Sequence, residues 1–137
     1  MENKERSGQI VIIDDDLELP ELYKDLLEVS LNFEESQFSV FRSVEDAQKF
    51  LSSDIKTPKL IILNYQLPGK YGMVYLKELK DELSSLRDIP VIVITGDSHP
   101  NIKESSENIG AAIFLFKPLN NIDFVEAVKL ALIDRNA

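Results

Sequence analysis

Short apolar runs alternate along this chain with longer segments in which apolar residues recur every three or four positions. Four of these runs cover residues 10–13, 60–63, 91–94 and 112–116, and a more modest one covers residues 38–41. Runs of this length, bounded by polar residues, are typical of strands that are buried on both faces of a sheet. The pattern therefore predicts five strands.

The segments between and after these runs predict five helices, because their apolar residues share one helical face. The first helix spans residues 19–31, and the second follows Ser43, a residue type that is favoured just before a helix. The third covers residues 73–83 and the fourth residues 100–110. The fifth begins near Asn121, and the residues that we expect it to bury are Phe124, Val125, Val128, Leu132 and Ile133.

Strands that alternate with helices predict an α/β fold with a doubly wound parallel sheet, right-handed crossovers and helices on both faces. A chain of 137 residues has the usual size of one domain. We expect this domain to cover residues 9–135, preceded by a flexible polar tail at residues 1–8 that lacks the apolar core of a signal peptide.

The amino-acid composition restricts the classes of molecule that the protein is expected to bind and the cellular compartment in which it is expected to occur. The 24 acidic and 15 basic residues give a net charge of -9, which disfavours binding to nucleic acid or to an anionic membrane surface. No apolar run has the length that a membrane span requires. The chain contains no cysteine, so disulfides and thiolate metal sites are excluded, and the cytoplasm is the simplest location.

Polar side chains follow four of the predicted strands: Asp14 and Asp15, then Asn64, Thr95 and Lys117. The carboxyl ends of parallel strands meet at one edge of a sheet, so these side chains are expected to share a cleft. An acidic pair by itself could equally be a cap of the next helix. Polar side chains at the ends of four strands, however, favour a binding site. Clustered carboxylates favour a divalent cation such as Mg²⁺, while lysine and threonine bind anionic oxygens. The cluster predicts a site where a metal ion holds a phosphoryl-sized anion.

The segments IVIIDDD, LPGKYG, VITGD and FLFKPL, taken together, resemble the receiver domains of bacterial two-component response regulators. The resemblance covers about residues 9–135. It implies the flavodoxin-like strand order 2-1-3-4-5, a cis peptide bond between Lys117 and Pro118, and a histidine kinase or another signalling protein as partner.

The same resemblance implies a role for individual residues. Asn64 stands at the phosphoacceptor position, and Mg²⁺ ligands would come from Asp14, Asp15, Asn64 and the backbone carbonyl of Gln66. Thr95 and Lys117 match residues that contact the phosphoryl group. Phe114 is either the switch aromatic of the family or a core residue, whereas for Phe116 we favour the core. No role is expected for the loop residues Tyr71 and His99.

Asn64 departs from the family pattern, which has aspartate at this position. A carboxamide is neutral and a poor nucleophile, so phosphoryl transfer should fail. Loss of one negative charge should leave Mg²⁺ binding weak or absent, and Lys117 should turn to Asp14 instead. Relief of charge repulsion should also make the metal-free fold more stable than that of an Asn64→Asp variant.

These observations favour a pseudo-receiver that is not an enzyme and acts through protein–protein contacts, with the fourth helix, fifth strand and fifth helix as the interface. No output domain is expected, although the chain could be a fragment of a longer regulator. One alternative is a phosphorylation-competent, magnesium-dependent receiver in which Asn64 is an engineered substitution. A metal-dependent phosphotransferase or phosphatase that uses Asp14 or Asp15 as nucleophile has weaker support.

Overall fold

A computed structural model of the chain describes residues 9–52, 58–67, 72–96, 100–111 and 113–135. Its elements, in order, are β1 (Ile10–Ile13), α1 (Leu19–Leu31), β2 (Phe38–Phe41), α2 (Val44–Leu51), β3 (Leu60–Asn64), α3 (Gly72–Leu79), β4 (Val91–Thr95), α4 (Pro100–Ile109), β5 (Ile113–Phe116) and α5 (Asn121–Arg135). A single 3₁₀ turn, Glu35–Gln37, precedes β2. The five strands form one sheet in the order β2-β1-β3-β4-β5, and all neighbours are parallel. The predicted fold class and strand order are confirmed.

The strand register brings the carboxyl ends of the central strands to one level. Ile13 of β1 lies opposite Leu63 of β3, and Asn64 lies opposite Ile94 of β4. The residue that follows Ile13 is therefore level with Asn64 at the same edge of the sheet. This alignment is the reason that polar residues distant in sequence become neighbours.

The sheet separates two hydrophobic cores. Alternate residues of each central strand point to opposite faces, so Val11 belongs to one core and Ile12 to the other. The first core packs against α2 and α3, and the second packs against α1 and α5. In the second core the rings of Tyr23 and Phe124 stack with centroids 4.9 Å apart, which joins α1 to α5.

Local chemistry explains several of the helix ends. Ser43 Oγ accepts a hydrogen bond from the backbone N–H of Asp46 at 3.1 Å, which confirms the predicted start of α2. Gly110 follows α4 with φ of 128°, a conformation that glycine adopts without steric penalty.

Two details of the helix predictions are wrong. The third helix ends at Leu79, and Leu83 is 93% exposed in a series of turns, where its N–H donates to Asp81 Oδ1 at 2.9 Å. A short acidic side chain thus satisfies the backbone locally in place of the helix. Ile133 was expected to be buried, but it is 61% exposed, because the buried face of α5 carries Phe124, Val128 and Ala131.

The fifth strand covers Ile113–Phe116. Ala112, the first residue of the predicted strand, lies outside the described residues. The expected tail at residues 1–8 also lies outside them, as do Tyr71 and His99. None of the helices within the described residues is long and apolar enough to cross a lipid bilayer.

Candidate functional site

Asp14 directly follows β1 and is almost completely buried. Its backbone N–H donates to the carbonyl of Phe41 at 3.0 Å, and its Oδ1 accepts from the N–H of Asp16 at 2.9 Å. Burial raises the pKa of the Asp14 carboxyl above its usual value, while the hydrogen bond from Asp16 and the positive charge of Lys117 oppose that rise. The carboxyl group of Asp14 therefore lies in the cleft, close enough to Lys117 for its positive charge to affect the pKa of Asp14.

Asp15 and Asp16 are exposed, and they differ in what they contact. Asp16 Oδ1 accepts hydrogen bonds from the backbone N–H groups of Glu18 at 2.7 Å and Leu19 at 2.9 Å, at the start of α1. These bonds lower the pKa of the Asp16 carboxyl. A helix cap was the alternative explanation for the pair Asp14 and Asp15, but the carboxylate that accepts hydrogen bonds at the start of α1 is that of Asp16. Asp14 and Asp15 face the cleft instead.

Asn64 ends β3 and lies at the centre of the cleft, with 5% of its surface exposed. Its Nδ2 donates to the backbone carbonyl of Gln66 at 2.7 Å and makes a longer contact of 3.5 Å to Asp15 Oδ1. Among the described residues, the buried Oδ1 atom of Asn64 finds no hydrogen-bond partner. The amide thus lies between Asp15, in the loop after β1, and Gln66, in the loop after β3.

Gly72 is a site-building residue that the sequence analysis did not single out. Its N–H donates to the carbonyl of Tyr65 at 3.0 Å, and a Cβ atom at this position would lie 2.6 Å from the backbone oxygen of Asn64. Real Cβ atoms do not approach an oxygen so closely, so only glycine lets α3 begin against the end of β3. The segment LPGKYG, which ends in Gly72, was the available signal for this close approach.

Thr95 and Lys117 complete the opposite side of the cleft. Thr95 is fully buried, and its carbonyl accepts from the N–H of Lys117 at 2.7 Å. The Cδ atom of Lys117 is the nearest atom to the position that a Gly96 Cβ would occupy, at 4.0 Å. The peptide bond from Lys117 to Pro118 is cis, as expected.

The expected pairing of Lys117 with Asp14 is not a direct contact. Between these two described residues no ion pair forms, although the charge of Lys117 acts on the pKa values of both Asp14 and Asp16. The ammonium group of Lys117 therefore acts on the loop after β1 through its charge and not through a direct contact with Asp14.

The two aromatic residues of β5 differ in burial. Phe114 is 7% exposed and belongs to the first core, whereas Phe116 is 37% exposed, so its assignment to the core is wrong. Their rings meet edge to face with centroids 5.1 Å apart. Phe116 lies at the end of an edge strand, where neighbouring elements cover less of its ring.

The side chains of the cleft do not fit a divalent cation in their observed arrangement. Within the part of the chain that the structure describes, no group of three or more His, Cys, Asp or Glu side chains is arranged to hold a metal ion. Asn64 presents Nδ2 to the Gln66 carbonyl and the Asp15 carboxylate, which are two of the expected oxygen ligands. The lone pair of a carboxamide nitrogen is delocalised into the carbonyl group, so Nδ2 cannot serve as a ligand of Mg²⁺, which is bound by oxygen atoms.

Comparison with known proteins identifies the family. A model of the response regulator receiver domain matches residues 10–129. The chain belongs to this family. Receiver domains are signalling modules, generally not enzymes.

Two relatives illustrate the extent of the similarity. Polar-differentiation response regulator DivK of Brucella anthropi is 28% identical over 125 residues, which cover 91% of this chain and 96% of DivK. Two-component response regulator ARR16 of Arabidopsis thaliana is 34% identical over 84 residues, or 61% of this chain. The match spans 50% of ARR16, so the chain covers about half the length of that relative.

Solved structures agree with this assignment. The signal receiver domain of a signal transduction histidine kinase from Syntrophus aciditrophicus superposes with a TM-score of 0.78 and 31% identity. The superposition covers 93% of this chain and 91% of that one. The fold of this chain is accordingly that of a receiver domain.

Proposed function

We propose that this receiver domain transmits signals by binding protein partners and does not accept a phosphoryl group. The observation that carries the proposal is the buried carboxamide of Asn64 at the phosphoacceptor position. Its Nδ2 lone pair is delocalised into the amide, and both Nδ2 contacts are donations to oxygen atoms. The position therefore offers no carboxylate nucleophile to a phosphodonor.

Neighbouring carboxylates do not replace the missing nucleophile. Asp16 accepts two backbone hydrogen bonds at the start of α1, and Asp14 is buried and accepts a third. Asp15 is exposed, but it follows β1 and does not stand at the end of β3. We therefore assign no catalytic activity to the domain, and we regard Thr95, Phe114 and Lys117 as equivalents of switch residues that have lost their phosphoryl ligand.

The partners proposed for this domain are a histidine kinase or another signalling protein. DivK and ARR16 are named as response regulators, which supports this class of partner. The surface formed by α4, β5 and α5 is the proposed interface, because Phe116 and Leu130 expose 37% and 53% of their surfaces there. The charge of -9 argues against nucleic acid and anionic membranes, and the absence of cysteine favours the cytoplasm.

A second candidate is a receiver that becomes phosphorylation-competent when aspartate occupies position 64. In its favour, Asp14, Asp15, Thr95 and Lys117 are all present at the cleft. Under this proposal the scaffold keeps its function and only the acceptor is missing.

Incubation with acetyl phosphate and Mg²⁺ followed by intact-mass measurement tests both candidates. We expect no added phosphoryl mass on the wild-type chain, and a phosphoryl adduct on Asn64→Asp if the scaffold is intact. Asn108→Asp, which adds the same charge at an exposed position of α4, is the matched control and should remain unmodified. A phosphoryl adduct on the wild-type chain would refute the proposed function.

A further inference from the structure

We infer that the side-chain amide of Asn64 takes the place of the divalent cation, so that the cleft is organised without metal and rejects Mg²⁺. This inference deepens the proposed function and rests on it in one respect, namely that Asn64 is the functional residue of the site. It assigns Asn64 a positive task, which is to hold two loops together, in addition to the loss of phosphoryl acceptance.

The contacts of Nδ2 carry the inference. The 2.7 Å bond to the Gln66 carbonyl is short for an amide donor, and the 3.5 Å contact to Asp15 Oδ1 extends the same NH₂ group toward a carboxylate. These two oxygen atoms belong to different loops, one after β1 and one after β3. The partial positive charge of the NH₂ group thus lies between two electronegative atoms, as a bound cation would.

The neighbours of the amide determine its orientation. If the amide were rotated by half a turn, Oδ1 would face the Gln66 carbonyl at the distance now spanned by the 2.7 Å bond. Two acceptors without a hydrogen atom between them repel each other, and the Asp15 carboxylate would add to the repulsion. The observed orientation is therefore the one that the metal-free cleft requires.

The unpartnered Oδ1 atom supports the same conclusion. Oδ1 is buried and has no hydrogen-bond partner among the described residues, which is unfavourable for an amide oxygen. The side chain nevertheless keeps this orientation, because the contacts of Nδ2 outweigh the unsatisfied oxygen. Mg²⁺ could recruit Oδ1 only by rotating the amide and breaking the bond to Gln66.

The amide and a divalent cation therefore compete for the same two oxygen atoms. An aspartate at position 64 would place a carboxylate beside Asp15 and the Gln66 carbonyl, and only a cation could balance that group of oxygens. The asparagine carries its own donor and needs no cation. The loops after β1 and β3 should consequently hold one arrangement whether or not Mg²⁺ is present.

Magnesium titration followed by ¹H–¹⁵N NMR, with no phosphodonor present, tests the inference. The readouts are the backbone signals of Asp15 and Gln66 and the side-chain NH₂ pair of Asn64. We expect these signals to remain in place in the wild type over the Mg²⁺ range that saturates Asn64→Asp, so that half-saturation of the wild type, if reached, needs a Mg²⁺ concentration about 10-fold or more above that of the variant. Asn108→Asp controls for the added charge, and its titration should match that of the wild type.

A ratio smaller than about 10-fold between the wild type and Asn64→Asp would overturn the inference. Signals of Asn64 NH₂ that exchange with solvent as fast as those of Asn108 would also overturn it, since the amide would then hold no bond. Neither outcome depends on phosphorylation. Failure of the inference is thus distinguishable from failure of the proposed function, which is decided by the mass of the chain after acetyl phosphate.

Discussion

At the scale of single residues, Asn64 differs from the aspartate that the family resemblance predicts at this position by an NH₂ group in place of an oxygen atom. That replacement puts a donor at the point where Gln66 and Asp15 both present oxygen. Under the proposed function, one residue therefore alters the charge of the cleft, its nucleophile and its hydrogen bonding together.

Asn64→Asp should lower the free energy of unfolding in metal-free buffer by about 1 kcal/mol or more, because like charges in a shared site repel each other. Thermal melts of both proteins in EDTA measure the difference. Asn108→Asp should change the melting temperature little, since its position on α4 is exposed. An aspartate variant that melts at a higher temperature than the wild type would contradict this expectation.

Asp14 should give stability a pH dependence of its own. Burial raises the pKa of its carboxyl above 3.8 in the folded state, so the folded chain binds a proton more readily than the unfolded chain. The favourable contribution of Asp14 to the free energy of unfolding is present at pH values below 3.8, and it is lost as the pH rises through the higher pKa of the folded state.

Asp14→Asn removes this titration, so its stability relative to the wild type should increase as the pH rises from about 4 toward neutrality. Urea unfolding at a series of pH values measures the change. Asp25→Asn, at an exposed position of α1, serves as the matched control. A difference between the wild type and Asp14→Asn that stays constant with pH would show that Asp14 does not titrate as described.

At the scale of secondary-structure elements, the start of α3 has no space for a side chain at position 72. Gly72→Ala would bring a methyl group to within 2.6 Å of the Asn64 carbonyl oxygen, and backbone atoms cannot move aside as a flexible side chain can. We expect a loss of about 1–3 kcal/mol in unfolding free energy, measured by urea denaturation. Gly96→Ala is the control, because the atom closest to its added methyl group would be Lys117 Cδ, at 4.0 Å. Equal effects of the two substitutions would contradict the packing explanation.

Lys80 fastens the connection between α3 and β4. Its Nζ donates to the carbonyls of Arg87 at 3.0 Å and Ile89 at 2.7 Å, and partial burial lowers the pKa of its ammonium group. Lys80→Met keeps most of the aliphatic stem but removes both donors.

We expect Lys80→Met to lower the unfolding free energy by about 1–3 kcal/mol, since two backbone carbonyls lose a charged donor. The neighbouring Lys77 is exposed, so Lys77→Met should have little effect on the same denaturation curve. If the two methionine variants were equally stable, the hydrogen bonds of Lys80 would contribute nothing measurable to this connection.

The secondary-structure elements also show which features hydrophobic periodicity predicts and which it does not. Strands 10–13 and 60–63 were evident because a strand buried on both faces leaves an uninterrupted apolar run. The spacing of apolar residues predicted that the third helix extends to Leu83. That spacing contains no information on the hydrogen bonds by which Asp81 and Lys80 satisfy backbone groups of residues 83–89 in turns. Exposure of Ile133 is likewise decided by which face of α5 meets the sheet.

At the scale of the whole molecule, the charge of -9 at neutral pH opposes compaction through self-repulsion. Monovalent salt screens that repulsion, so the melting temperature should rise by about 2 °C or more between low salt and about 0.5 M KCl. The increase should disappear near pH 4.6, where the net charge approaches zero. A melting temperature that falls with KCl at neutral pH would show that local ion pairs, such as Lys24 with Glu35, outweigh the net repulsion.

By itself, the sequence determined the alternation of strands and helices, the set of polar residues at the strand ends and the neutral side chain at position 64. These features follow from local periodicity and residue chemistry, and the family resemblance supplied the strand order. Only the tertiary structure decided what Asn64 contacts, why position 72 requires glycine, and that Asp16 meets the start of α1 while Lys117 stays apart from Asp14. Those facts depend on distances and directions between atoms in the folded chain, which no pattern of residue types contains.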